Sequence, residues 1–445
     1  YGLESPTLGR RAKDLDGLAA YLNAAGHGFG DAAGRGDMSA DSHGSLRKVP
    51  EVRAPRGGGH DRRKPVPMAT LPDACHYTAP AVGATTERGY NHRVMRALTV
   101  DQPGNPPSLS VIDVPIPQPG PEEALVRVEG CGFCHHDMLV MSGTLRRGVA
   151  PGVILGHEIS GVVEQTGGRV ANLKVGDRVV SILTNACGRC DRCLGGQEHR
   201  CRSGVGIGHS RNGGFAEYVA VSEFSLVRLD DQLDDGFDLI QASLLACPMG
   251  VALQAAQNVA QIQPGETVVV TGAGGGLGVH AVQAAASLGA KVLAVTSSPE
   301  KLGSLAPLGG EEILHTSELD FSEMVLALTE DAGAAVVLDT VGSPLFPSAW
   351  NSLAQFGRLV LLGEVAGRPV ELNLAEIIFR DARVLGASGV SLASVRQAAG
   401  MVSRGELKPI VHRTFALEDA LTAFGLLASR QPLGRLVFTP QAGSG

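Results

Sequence analysis

The chain has 445 residues, enough for two to four domains at roughly 100–200 residues each. Apolar residues make up 44% and charged residues 19%, a composition that builds a core and excludes a wholly disordered chain. A net charge of −7 and an aromatic content of 4% argue against general nucleic-acid binding by charge or by base stacking. No stretch approaches ~18 consecutive apolar residues, so no membrane-spanning helix is expected. The first residues lack a basic start, an apolar run and a small-residue cleavage site, and Asp14 and Asp16 argue against a transit peptide. A cytoplasmic chain is the expectation.

Residues 1–94 hold 14 Gly and 7 Pro and keep no apolar period, so they read as a disordered N-terminal extension. Leu15 to Ala25 is the one weak helix pattern there. Met95 opens a clear strand pattern and reads as the natural start of the folded protein. Strands are expected over Met95–Val100, Leu109–Ile116, Ala124–Val128, Val153–Val163 and Arg178–Ile182, between Gly, Pro and Asn turns. From Val268–Thr271 onward, strands alternate with helices. A helix runs through Leu288, then a strand over Lys291–Thr296, a helix over Pro299–Leu308, and strands at Ala335–Asp339, Leu359–Gly363 and Ala382–Ala387. That alternation predicts a doubly wound parallel sheet. A last helix near Leu417–Ser429 and a strand at Arg435–Thr439 can return to the first domain.

Three motifs carry chemistry. Cys187, Cys190, Cys193 and Cys201 fall at short spacings that let four thiolates close a tetrahedral shell around zinc. With no open position implied, this is a structural site; Gly188, Gly195 and Gly196 let the backbone fold around it. Next, Gly156-His157-Glu158-Ile159-Ser160-Gly161 places His beside Glu on a short turn, weak by itself as a metal site. Upstream, Cys131-Gly132-Phe133-Cys134 reads alone as a redox pair or half of a zinc knuckle. Finally, Thr271-Gly272-Ala273-Gly274-Gly275-Gly276-Leu277-Gly278 follows a strand and opens a helix, the setting of a dinucleotide-binding loop. Such glycines admit a pyrophosphate, and the helix N-terminus offers free N–H groups to it.

Together these residues make the chain from Met95 onward resemble the zinc-containing medium-chain alcohol dehydrogenase/reductase family. The zinc signature matches in full at 156–170, and both zinc motifs and the nucleotide loop occur in the expected order. The resemblance implies an α/β fold: a GroES-like β-rich catalytic domain at 95–248 and 386–445, plus a Rossmann doubly wound parallel sheet at 249–385. It implies a catalytic zinc held by Cys134, His157 and Cys247, with Glu158 as a neighbour able to exchange with it. Asp137 would then orient His157 as a carboxylate behind a metal ligand, and Cys131 would only pack. Two zinc ions per chain, a nicotinamide cofactor and a homo-dimer or homo-tetramer follow from the same likeness.

The chain departs from the family at two places. Where the family has a Ser or Thr that relays the alcohol proton, two residues after the first ligand, this chain has His136. Where many members have a second relay His, it has Leu139. His136, with an ordinary pKa near ~6.5, is the candidate replacement carrier, against a plain packing role. The expected function is hydride transfer between a nicotinamide cofactor and an alcohol, aldehyde or ketone in the cleft between domains. Reduction of an activated C=C bond, as in acryloyl-CoA or quinone reductases, is the alternative. A non-catalytic zinc and nucleotide binder, like the lens crystallins, is a third class. At the end of the second cofactor-domain strand stand Thr296, Ser297 and Ser298, with Lys301 near, and no acid to bind a ribose 2′-OH. NADP(H), or either cofactor, is therefore expected over NAD(H) alone.

Overall fold

The structure, a computed structural model, describes residues 93–316 and 320–441. The expected disorder of 1–94 and the helix at Leu15–Ala25 lie outside the described residues, Arg93 and Val94 excepted. Those two already belong to the fold: β1 (Val94–Gln102) pairs from Val94, and the Arg93 carbonyl accepts from the Ile116 N–H. Folded structure therefore begins before Met95, because β2 (Ser108–Pro115) offers ladder partners that far.

β3 (Glu123–Phe133) is the axis of a seven-stranded, mostly antiparallel sheet. On one side it pairs with β4 (Glu158–Thr166), which leads to β5 (Arg178–Ser181). On the other, its first half pairs with β6 (Tyr218–Ser222); β7 (Leu226–Arg228) lies against β5. A short helix, α1 (His135–Met141), begins directly after β3. The expected strand Val153–Val163 is half right. Residues 153–157 leave the sheet, and 154–156 bond instead to 212–215, with Gly156 at φ +91°. A Cβ at Gly156 would sit 2.5 Å from the Phe215 ring and 2.7 Å from Cys131 Sγ, so only glycine permits this approach.

A helical run absent from the sequence reading, α2 (Leu239–Val259), connects the two lobes. By length and apolarity it could cross a membrane, but 72% of its most apolar window is buried, as befits a core helix. Pro248 lies inside it. Proline has no N–H for the helical ladder, and the helix widens into a π turn at Ala246–Gly250 that carries Cys247.

The second lobe is a six-stranded parallel sheet. Its strands are β8 (Thr267–Val270), β9 (Lys291–Thr296), β10 (Glu312–His315), β11 (Ala334–Asp339), β12 (Leu353–Leu361) and β13 (Arg383–Gly386). The spatial order is β10-β9-β8-β11-β12-β13, the doubly wound order with its switch point between β8 and β11. Buried apolar residues such as Val268, Val270, Val336 and Leu338 explain why these strands read as continuous apolar runs. α3 (Gly278–Ser287) follows the glycine loop. The helix expected over Pro299–Leu308 is broken into two 3₁₀ turns around one α turn, the second containing Pro307. β12 starts at Leu353 rather than Leu359 and passes through Phe356 at φ +62°. Beyond it, α4 (Leu374–Arg380) exposes Leu374, Ile378 and Phe379 beside the sheet's edge strand, β13. The chain then crosses back. β14 (Val411–Phe415) and β15 (Arg435–Phe438) extend the first sheet, β15 pairing with Cys131–Phe133.

His280 in α3 locks this return to the glycine loop. Its Nδ1 donates to the Gly276 carbonyl at 2.7 Å, and its Nε2 accepts from the Ile410 N–H at 3.1 Å. The bond accepted at Nε2 needs the neutral ring, and burial pushes its pKa down to about 4. The folded state thus stays neutral where the unfolded chain, near its ordinary ~6.5, takes up a proton. This contribution is complete above the unfolded pKa and is lost as pH falls from there towards 4, by roughly 3 kcal/mol at most. Urea unfolding between pH 7 and 4 is expected to show that loss in the parent, with a flatter profile in His280→Gln. Parallel profiles would contradict it.

Candidate functional site

The register of the first sheet assembles one cluster. β3 ends at Phe133, β4 begins at Glu158 opposite Gly132, and β15 begins just before Leu436 opposite Phe133. Cys134, His157, Glu158 and Arg435 therefore meet at one end of three adjacent strands. Cys247 comes in on the π turn of α2. One ligand atom from each of Cys134, His157, Glu158 and Cys247 lies within 4.8 Å of the others.

Asp137, fully buried, organises this cluster. Its Oδ2 accepts from the Cys134 N–H at 3.0 Å, and its Oδ1 accepts from the Gly156 N–H at 3.2 Å. The same Oδ1 lies 3.3 Å from His157 Nδ1, which leaves Nε2 for the cluster. Burial works against a charge on His157, but Asp137 and Cys134 outweigh it and hold the ring well above the usual histidine range. The Cys247 thiol hydrogen bond holds Cys134 well below the usual thiol range, and Cys247 itself is pushed well above it.

Burial raises the Glu158 carboxyl to about 7, against the pull of Arg435. Arg435 Nη2 stands 3.1 Å from Glu158 Oε1 and both side chains are buried, yet neither Glu158 oxygen makes a hydrogen bond. A buried carboxylate without hydrogen bonds, facing two thiols and an imidazole, is a donor set that fits a zinc ion. Arg435 had no signal in the sequence. It lies 301 positions from Cys134 and reaches the cluster only because β15 pairs with β3.

The four-cysteine lobe also closes as its spacing predicts. The sulfurs of Cys187, Cys190, Cys193 and Cys201 lie within 4.8 Å of one another. Gly188 takes φ +69° and a Cβ there would strike the Phe224 ring at 2.3 Å, while Gly196 takes φ +72°. Gly195, by contrast, needs no left-handed conformation.

The glycine loop sits where β8 meets α3. Gly272 has φ +59°, and a Cβ on Gly278 would lie 2.1 Å from the Gly272 carbonyl oxygen, so the loop tolerates no side chain there. Leu277 precedes the helix, and Gly275 takes part in a bridge to Gly434. Lys301 lies over Gly274 and the Arg435 guanidinium lies over Gly276, 2.4 Å and 2.7 Å from the respective Cβ positions. The aliphatic stem of Lys301 and the cationic head of Arg435 thus line the loop. Lys301 is less free than the sequence suggests: it is buried, and its Nζ donates to the Arg430 carbonyl at 2.6 Å. Thr296 is buried and accepts from the Ser298 N–H, whereas Ser297 is exposed. Asp339, at the end of β11, was also missed. It accepts from Thr271 Oγ1 at 2.6 Å and keeps one oxygen without a partner.

Residues 120–231 match the alcohol dehydrogenase GroES-like domain family, and residues 276–404 match the zinc-binding dehydrogenase family. The chain is 32% identical over 348 residues to an acryloyl-coenzyme A reductase of Sulfurisphaera tokodaii, covering 78% of this chain and all of that protein. The chain belongs to the zinc-containing medium-chain alcohol dehydrogenase/reductase family. An alcohol dehydrogenase of Geobacillus stearothermophilus is 33% identical over 346 residues, 77% of this chain and 99% of that protein. A cobalt- and zinc-bound thermostable alcohol dehydrogenase from Pyrobaculum aerophilum superposes with a TM-score of 0.70 at 31% identity. It covers 78% of this chain and all of that one. An oxidoreductase of this family, with a GroES-like lobe and a Rossmann-like lobe, is therefore established.

His136 lies against the cluster. Its ring centroid is 5.3 Å from that of His157, at 84°. Leu139, one turn on in α1, offers no second titratable group.

Proposed function

We propose that this chain is a zinc-dependent dehydrogenase that moves hydride between a nicotinamide cofactor and an alcohol or its carbonyl partner. One observation supports this most. The Arg435 guanidinium touches Glu158 of the Cys134/His157/Cys247 cluster and also covers Gly276 of the glycine loop, so the candidate metal and dinucleotide sites share a wall. Zinc in the first cluster supplies a Lewis acid for the substrate oxygen, and the nicotinamide carries the hydride. The chain's own residues do the rest. Asp137 fixes His157 with Nε2 towards the cluster, Glu158 adds a neighbouring carboxylate, and Arg435 balances its charge. The four-cysteine lobe takes the structural zinc. A homo-dimer or homo-tetramer belongs to the same reading, supported by the exposed apolar face of α4 beside edge strand β13.

The second reading, reduction of an enoyl thioester, has its own support. The relay hydroxyl expected from the family is replaced by His136 and its second relay histidine by Leu139, and a 32% identical relative is an acryloyl-coenzyme A reductase. A turnover screen over alcohols, aldehydes and enoyl thioesters, with both nicotinamide cofactors, tests the two. Alcohol oxidation that vanishes when zinc is removed from the first cluster supports dehydrogenation. Full enoyl reduction after that removal points to the second reading, and no turnover at all to a binding protein.

Cofactor choice follows from Thr296, Ser297 and Ser298. With no acid there to favour a free ribose 2′-OH, kcat/KM with NADP(H) is expected to equal or exceed that with NAD(H). The measurement is the ratio on one substrate. A ratio of tenfold or more in favour of NAD(H) would overturn the expectation.

A further inference from the structure

We propose that His209 is a positioning residue that fixes the ring and the tautomer of His136 beside the catalytic cluster. The clue is a contact between residues 73 positions apart: His136 Nε2 lies 3.2 Å from His209 Nδ1. The other nitrogen of His209, Nε2, lies 3.1 Å from the Arg147 carbonyl oxygen. A carbonyl can only accept, so His209 Nε2 carries a proton. With one proton on each ring, His209 Nδ1 is then the acceptor and His136 Nε2 the donor. That leaves His136 Nδ1 as a bare nitrogen. A main-chain oxygen at one end of the chain of bonds thus sets which nitrogen of His136 can receive a hydrogen bond.

His209 is itself held tightly. Its carbonyl accepts from the Ala150 N–H at 2.8 Å, and its N–H donates to the Gly206 carbonyl at 3.3 Å. The next residue, Ser210, donates through Oγ to the Gly148 carbonyl at 3.1 Å. Gly148 and Gly206 leave room for the ring: a Cβ on Gly148 would lie 3.1 Å from His209 Nε2, and one on Gly206 3.2 Å from His209 Cβ. Two loops, 146–150 and 206–211, therefore clamp one imidazole against another. The His136 ring is caught between His209, at 5.1 Å and 52°, and His157, at 5.3 Å and 84°. Tautomer control by the partner of the far nitrogen is how metal-bound imidazoles are commonly oriented. Here the same device acts on a histidine that stands where the resemblance leads one to expect a hydroxyl.

The inference rests on the proposed reading only for its kinetic consequence. The test combines ¹⁵N NMR of histidine-labelled, zinc-loaded protein with kinetics of His209→Ala and His209→Asn. In the parent, His136 is expected to show a protonated Nε2 and a bare Nδ1. His209→Ala should lose that single tautomer while keeping its zinc content and thermal midpoint, with kcat down about tenfold and KM little changed. Asn carries an amide oxygen near the place of Nδ1, so His209→Asn should restore both the tautomer and most of kcat. A proton on His136 Nδ1 in the parent, a doubly protonated His209, or a tautomer unchanged in His209→Ala would overturn the proposal. So would an altered tautomer with unaltered kcat in an enzyme that turns over. If no substrate is turned over, the function proposed above fails, and the NMR result alone still decides the role of His209.

Discussion

Replacing Cys134 by Ser is expected to cut turnover by several kcal/mol of barrier, roughly a thousandfold, and to leave the fold intact. Zinc content should fall from two per chain to about one. The reasoning starts from the two donor sets. In the proposed assignment Cys134, His157 and Cys247 are three protein ligands that leave a position open, which is what a reacting site needs. The set is built on β3, β4 and α2, elements held by their own cores, so its loss should not unfold them. Cys190→Ser is expected to act in the opposite way. Residues 187–201 contain little apolar structure of their own, and only Cys193 among the four thiols is well buried. Metal binding there is folding free energy for the lobe. The lobe also supports its neighbours: Arg200 Nη2 donates to Ser388 Oγ at 2.8 Å, and the Leu392 N–H donates to Glu198 Oε2 at 3.3 Å. Its collapse should lower the thermal midpoint and release the segment leading into the helix that starts at Leu392. Elemental analysis, thermal unfolding and kcat on the two variants decide the matter. Fewer than two zinc ions in protein never exposed to chelator, or a Cys134→Ser variant that unfolds, would refute the assignment.

Arg435→Met is expected to cost about 3–5 kcal/mol of stability. The change leaves the Glu158 carboxylate fully buried and removes the cation facing it, with no hydrogen bond to compensate. Part of that cost escapes if Glu158 takes up a proton, which its raised pKa of about 7 makes easier. Because the folded-state pKa lies above the unfolded one, both proteins should gain stability as pH falls towards the ordinary carboxylate range, and the variant, without the cation that favours the charged form, should gain more and begin to gain at higher pH. Arg435→Met combined with Glu158→Gln should be more stable than Arg435→Met alone, because the unpaired charge is gone. The single change should also raise KM for the cofactor, since the guanidinium covers Gly276 in the glycine loop. Chemical unfolding of the two singles and the double closes the cycle. A cost below about 1 kcal/mol for Arg435→Met would show that the pair is already screened.

Much of this protein is set by local sequence. The four-cysteine lobe closes on itself within fifteen residues, so spacing alone defined it. The parallel strands are buried on both faces and read as apolar runs, which made β9 legible over Lys291–Thr296 without error. The glycine loop is local too, since strand, turn and helix follow one another. What failed locally failed for physical reasons. Val153–Val163 has a strand's composition throughout, but a left-handed Gly156 packed on Phe215 turns its first half away from the sheet. The helix carrying Cys247 shows no clear period because nearly every face of it is buried, and its proline is absorbed by a π turn. Lys301 was expected near enough to add charge beside Thr296–Ser298, but its ammonium is taken by the Arg430 carbonyl, far along the chain. Only the tertiary structure brought Arg435 to Glu158, His280 to Ile410 and His209 to His136. In each case the partners are separated by 73 to 277 positions, and strand register or loop packing, not residue type, decides that they touch.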